Sequence, residues 1–275
     1  MIPFLKMHGL GNDFAIFDAR KQTLTLTPAS SRAVSDRRRG IGCDQIIVIG
    51  EGRDGADAAM RIINADGSEV EACGNAARCV AGILMAEKKT GKIRLKTAGG
   101  MLDCRDAGDG FVCVDMGAAV TQWDRIPLSC PVDTRNFTLR LENEAIEASA
   151  VSMGNPHCVL FVPDAEKVDV AGLGPRIEHH PMFPNRTNVE FVSRTDENVL
   201  RMRVWERGVG ITQACGSGAC AAAFSANRLG LVGNSVTVAL DGGDLKLDLR
   251  DGHVLMTGPA TLSFRGEIDF DGLEA

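Results

Sequence analysis

"MRIINADGSEVEACGNAARC" (Met60–Cys79) and "MRVWERGVGITQACGSGAC" (Met202–Cys220) fall over one another when the chain is shifted by 142 residues. Met-Arg lies on Met-Arg, and Ala-Cys-Gly on Ala-Cys-Gly. The match continues outward. "GNDFAIF" (Gly11–Phe17) pairs with "GNPHCVLF" (Gly154–Phe161) at an offset of 143, and Gln45 pairs with Asn188 at the same offset. Gly99-Gly100 in "TAGGMLDCRDAGDGFVCVDMG" lies over Gly242-Gly243 in "LDGGDLKLDLRDGHVLMTG". Landmarks recurring in one order at nearly one spacing mark a duplicated unit, which must be recognised before any other reading of the chain.

Each half contains short β-type runs, among them "FAIFDA", "QIIVIG" and "KIRLKT" in the first and "CVLFV", "VEFVS" and "SVTVAL" in the second. Gly and Asp-Gly turns separate many of them. Each half has one clear helix after its Cys motif, "NAARCVAGILMAEKK" and "GACAAAFSANRLG", and a shorter helix is expected from Pro28. Small residues lead both long helices, so each can be packed closely on all sides, as a helix wrapped by a sheet would be. The expected fold is therefore α/β: two pseudo-symmetric domains, each a mainly antiparallel sheet around a central helix, with an active site at the domain interface. The expected domains are residues 1–117 and 118–261, with residues 262–275 returning to the first half.

The chain has 275 residues, 44% of them apolar and 24% charged, ordinary values for a soluble globular protein. A net charge of −6 gives no support to nucleic acid or an anionic membrane as partner. The run "DRRRG" (Asp36–Gly40) is too short to make a binding face. No apolar stretch is long enough to span a bilayer, and the first residues lack the pattern of a signal peptide. Nine cysteines, an odd number scattered through a long chain without a CxxC pair, fit a reducing cytoplasm better than a disulfide framework or a zinc ribbon.

A helix start leaves N–H groups unpaired and carries partial positive charge. It attracts a carboxylate and is expected to lower the pKa of a thiol placed there. Gly74 and Gly216 allow close backbone approach. Two such thiols facing one bound molecule suit one reaction, inversion of a stereocentre beside a carboxylate. One thiolate removes the α-proton, the other thiol delivers a proton to the opposite face, and N–H donors stabilise the developing charge. Cys73 and Cys215 are the expected acid/base pair. Cys79 and Cys220, inside their helices, are expected to be packing residues.

At these residues the chain resembles the diaminopimelate epimerase family. The strings that carry the resemblance are "KMHGLGNDF" (Lys6–Phe14), "RRGIGCDQ" (Arg38–Gln45), "NADGSEVEACGNAARC" (Asn64–Cys79), "GNPHCV" (Gly154–Val159), "RTNVEFV" (Arg186–Val192) and "WERGVGITQACGSGACA" (Trp205–Ala221). The resemblance implies interconversion of LL- and meso-2,6-diaminoheptanedioate without pyridoxal phosphate or metal, by a homodimer. It places Cys73 and Cys215 at the acid/base positions, with His157 and Glu206 beside the thiols. It places Gly74, Asn75, Gly216 and Ser217 around the reacting carboxylate. It assigns Asn12, Gln45, Asn64, Asn155, Asn188 and Arg207 to the substrate pocket, with Glu206 also positioned to hold an ammonium. Loop asparagines are more often turn residues, but here Asn12 and Asn155, Gln45 and Asn188, and Asn64 and Glu206 occupy paired positions of the repeat.

Two other readings compete. One is a racemase or epimerase of another amino acid, such as proline or hydroxyproline. Against it stand Arg207 and the amide side chains, since a buried guanidinium left without its carboxylate is costly. The other is a thiol redox sensor or binding module without turnover. The absence of a CxxC arrangement argues against that.

Overall fold

The structure is a computed structural model, and it describes residues 1–71, 73–142 and 144–270. Two compact units emerge from the contacts within the chain. One is Met1–Val114 together with the chain from Thr257 onward; the other is Asp115–Met256.

The first unit is built from strands β1 (Ile2–Gly9) and β2 (Asn12–Asp18), helix α1 (Pro28–Ser35), and strands β3 (Gln45–Glu51), β4 (Ala58–Asn64) and β5 (Glu69–Val70). Helix α2 (Gly74–Lys88), strands β6 (Lys92–Thr97) and β7 (Gly100–Asp106), and the first half of β8 (Phe111–Ala118) follow, the rest of β8 belonging to the second unit. The second unit contains strands β9 (Phe137–Leu141), β10 (Glu144–Ser152) and β11 (Pro156–Phe161), helix α3 (Val170–Glu178), and strands β12 (Asn188–Asp196), β13 (Val199–Glu206) and β14 (Gly210–Ile211). It continues with helix α4 (Gly216–Arg228), strands β15 (Ser235–Leu240) and β16 (Gly243–Arg250), and the first part of β17 (His253–Pro259), whose last residues belong to the first unit. The last strand, β18 (Thr261–Ile268), pairs antiparallel with β1 in the first unit. Of the final segment expected to return there, residues 271–275 lie outside the described residues.

Each unit repeats one pairing scheme. In the first, β1–β2 is antiparallel, β2–β3 parallel, β3–β4 antiparallel, β4–β6 parallel and β6–β7 antiparallel. In the second, the same alternation runs through β10–β11, β11–β12, β12–β13, β13–β15 and β15–β16. The register repeats as well: Phe14 faces Gln45 across β2–β3, and His157 faces Asn188 across β11–β12, both partners displaced by 143. The duplication thus reaches single-residue pairing. Parallel neighbours need a crossover, and α1 and α2 supply two of them.

The composition of the long helices follows from their surroundings. Ala76, Ala77, Cys79, Val80, Ala81 and Leu84 of α2 are fully buried, and the helix packs against β1, β2, β4, β6 and β7. Ala219 to Ala223 of α4 are fully buried, under β10 to β13, β15 and β16. A helix enclosed this way has no polar face to keep, and small side chains let strands approach it. The outer face of the second unit's sheet is covered by α3, with Phe137, Leu160, Ile177 and Phe191 in the core between them.

Candidate functional site

Both long helices begin at a cysteine. Cys73 is the N-cap of α2 and Cys215 the N-cap of α4, each in extended backbone conformation. Neither residue type is a preferred cap. In α4 the sulfur itself caps, accepting the Gly218 N–H at 3.4 Å; in α2 there is no side-chain cap. All cysteines among the described residues are free thiols. Cys79 and Cys220 are fully buried inside the helices, and burial pushes the Cys79 thiol up to about 12.

In the first unit, Asn12, Cys73 and Asn75 come together. Asn12 Oδ1 accepts from Asn75 Nδ2 at 3.1 Å and from the Cys73 thiol at 3.8 Å. Asn12 Nδ2 donates to Asp44 Oδ2 at 3.0 Å, which fixes which end of the amide faces the cysteine. Asp44 is itself held by Arg37 and by Asp13, and Asp13 forms an ion pair with the buried Lys6 at 2.6 Å. Burial opposes ionisation of Asp13, but hydrogen bonds from Arg37 and Lys6 and the Lys6 charge overcome it and hold its carboxyl at about 2. Gln45 and Asn64 face each other across β3–β4, with Gln45 Nε2 donating to Asn64 Oδ1 at 3.0 Å.

In the second unit, His157 Nε2 lies 2.9 Å from Asn155 Oδ1. Its Nδ1 lies 2.7 Å from Glu190 Oε1, both side chains being fully buried. Asn188 Oδ1 accepts the backbone N–H of Arg207 at 2.9 Å, and its Nδ2 donates to the Pro156 carbonyl. Glu206 accepts a hydrogen bond from the Thr212 hydroxyl, and its carboxylate acts electrostatically on the Cys215 thiol. Burial raises the Glu206 pKa. Ser217 Oγ is 3.6 Å from the Cys215 sulfur. Gly74, Gly216 and Ser217 take the first helical turns, as the motif requires.

Two expectations need correction. The helix start does not lower the Cys215 pKa. Burial first, then the negative charges of Glu206 and Glu190, push the thiol well above its ordinary value, against weaker help from Ser217 and the Gly218 N–H. Loss of water and two carboxylates outweigh a helix dipole worth about 0.3–1 kcal/mol. Arg207 is exposed rather than buried, with its guanidinium on the Asn185 carbonyl at 3.3 Å. A penalty for leaving it unpaired therefore applies only once a ligand covers it.

Glu190 was not singled out in the sequence. It sits in an apolar strand run, and its signal is positional: it takes the place in β12 that Ile47 takes in β3, one shift of 143 earlier. Asp44 and Glu178 were likewise missed. Glu178 Oε1 accepts the Gly208 N–H at 2.9 Å and so braces the turn that follows Glu206 and Arg207.

The pattern of the diaminopimelate epimerase family matches residues 4–122 and 149–263. A diaminopimelate epimerase of Rhodospirillum centenum is 51% identical over 270 residues, spanning 96% of this chain and 91% of its own. One from Sphingopyxis alaskensis is 52% identical over 269 residues, 97% of each. Among solved structures, a hydroxyproline epimerase from Agrobacterium vitis, with bound trans-4-hydroxy-L-proline, aligns with a TM-score of 0.70. It is 16% identical, covers 96% of this chain and 91% of that chain, and shares the fold.

Proposed function

The chain belongs to the diaminopimelate epimerase family, and from that premise we propose that it interconverts LL- and meso-2,6-diaminoheptanedioate, with Cys73 and Cys215 as acid and base on one α-carbon. As a member of this family the protein is an isomerase. The observation that supports the cysteine assignment is the equivalence of the two residues: each cysteine stands at the N-cap position of the buried helix of its repeat, followed by a glycine and then an asparagine or serine.

An α-proton beside a carboxylate is very weakly acidic, so its removal needs donors already aimed at the carboxylate. The first-turn N–H groups at Gly74 and Asn75 and at Gly216 and Ser217 take that role. Glu206 receives the substrate ammonium, whose arrival offsets the carboxylate charge that keeps Cys215 protonated. His157 tunes the same thiol. Asn12, Gln45, Asn64, Asn155 and Asn188 line the pocket, and Arg207 takes the distal carboxylate, for which a planar guanidinium is well suited. The direction of reaction decides which thiol is base: one serves the LL-isomer and the other the meso-isomer. No cofactor or metal has a part in this scheme. A homodimer in the cytoplasm completes the reading.

The test is to incubate the purified protein with each diaminoheptanedioate stereoisomer, L-proline and trans-4-hydroxy-L-proline, and resolve the products by chiral chromatography. Equilibration of the LL- and meso-isomers with proline and hydroxyproline untouched is expected. Racemisation of proline with diaminoheptanedioate unchanged would overturn the substrate assignment.

A further inference from the structure

The two halves match in backbone register but differ at one buried cluster. In the first, Phe14 and Ile47 are fully buried apolar side chains on β2 and β3, and Ala76 stands in the first turn of α2. In the second, the equivalent positions hold His157, Glu190 and Gly218. The three differences belong together. A Cβ on Gly218 would lie 2.8 Å from Glu190 Oε1 and 3.2 Å from the Cys215 sulfur. The missing methyl leaves room for a carboxylate behind the thiol.

We propose that Glu190 is a positioning residue for the acid/base chemistry at Cys215, its buried carboxylate holding the His157 ring by Nδ1 and setting its charge behind the Cys215 sulfur. This inference rests on the two-cysteine reading above. The His157 ring is pinned at both ends, by Glu190 and by Asn155. A carboxylate on Nδ1 fixes the tautomer and the ring orientation. Glu190 Oε2 has no hydrogen-bond partner among the described residues, so its charge is not fully spent on the imidazole. An uncompensated charge in a dry interior acts strongly on its neighbours.

The groups acting on Cys215 come from three elements. Glu206 lies on β13, Glu190 on β12, and Ser217 and the Gly218 N–H on α4 itself, while His157 on β11 is held by Glu190. The remaining strands packed on α4, which are β10, β15 and β16, bury no charged side chain. Among the described residues Glu190 is a fully buried carboxylate close to this thiol, and Glu206, whose own pKa is raised by burial, acts on the thiol beside it. The consequence is a thiol at Cys215 at rest, with Ile47 in the first repeat standing where Glu190 stands in the second.

The test is 13Cβ-cysteine NMR, which reports thiol against thiolate without needing a reagent to reach the sulfur. Resonances are assigned with Cys73→Ala and Cys215→Ala. Glu190→Gln, which keeps an acceptor for His157 but removes the charge, is expected to lower the Cys215 midpoint by at least one pH unit and leave that of Cys73 in place. The pH profile of kcat should move in the same direction. Superimposable Cys215 titrations in a folded Glu190→Gln protein would overturn the proposal. If that variant does not fold, Glu190→Met is measured in its place, and an unmoved Cys215 midpoint there would overturn it. Turnover of diaminoheptanedioate by the wild type is measured separately, so failure of the substrate reading is distinguishable from failure here.

Discussion

The indole N–H of Trp205 donates to Glu178 Oε2 at 2.7 Å. Trp205 immediately precedes Glu206 and Arg207, and the other Glu178 oxygen holds Gly208 just beyond them. The carboxylate at the end of α3 therefore grips both sides of the turn that presents two proposed substrate contacts. Glu178→Ala leaves two backbone or ring donors without their acceptor, at about 1–3 kcal/mol each if they stay dry. Urea denaturation should show that loss, and KM should rise by roughly tenfold, the equivalent of about 1.4 kcal/mol of lost positioning. An unchanged KM would mean that the turn keeps its shape without Glu178.

Gly174 lies in the same helix, under the same indole. A Cβ there would come within 2.5 Å of the Trp205 ring. Gly174→Ala should normally strengthen a helix by about 0.5–1 kcal/mol. Here it is expected to destabilise the protein by about 1–3 kcal/mol, because the ring must move off its seat. Thermal melting of the single variant decides between the two signs.

Asp44 sets the orientation of the Asn12 amide. Asp44→Ala removes the acceptor for Asn12 Nδ2 and frees the amide to turn its nitrogen toward Cys73. The expected effect is a loss of kcat of roughly tenfold to a hundredfold, the scale of one misplaced contact in a preorganised site, with little change in global stability at this partly exposed network. Steady-state kinetics beside a melting curve separates the two.

Asp13 supplies a pH dependence with a definite sign. Its carboxyl is lowered from 3.8 to about 2 in the folded chain. Between those values the unfolded chain binds the proton and the folded chain does not. The stabilisation is thus fully present above pH about 4 and is lost as pH falls toward about 2. Asp13→Asn should be less stable at pH 7 and should show a shallower fall between pH 4 and pH 2. Denaturant midpoints of both proteins across that range provide the check.

Much of this fold was legible because it is written twice. The helices read over residues 75–89 and 218–230 begin, in the structure, just after their cysteines. Runs such as Gln45–Gly50 and Val199–Glu206 are strands because β-branched residues alternate or cluster between turns. Strand β1 was harder to see. Its buried and half-buried residues include a lysine, Lys6, whose burial is made tolerable by Asp13 from β2. Helix α3 was obscured by Pro175 and two glycines, and is held by its Asp169 cap and by Trp205 packed against it. The cysteines were visible as residues but their environment was not. That Cys215 is surrounded by Glu190 and Glu206 depends on strand register, and a reading from the helix dipole alone gives the wrong sign.

The central claim is tested most directly by epimerisation in deuterated water. LL-diaminoheptanedioate is incubated with the wild-type protein, and the isomers are recovered after a few per cent conversion. Two acid/base groups on opposite faces predict that the meso product carries one solvent deuterium while recovered LL-substrate stays unlabelled. They also predict that Cys73→Ala and Cys215→Ala, each still folded, produce no inversion. Near-normal inversion by either variant, or early label in the recovered substrate at the level found in product, would contradict the assignment of one thiol to each face.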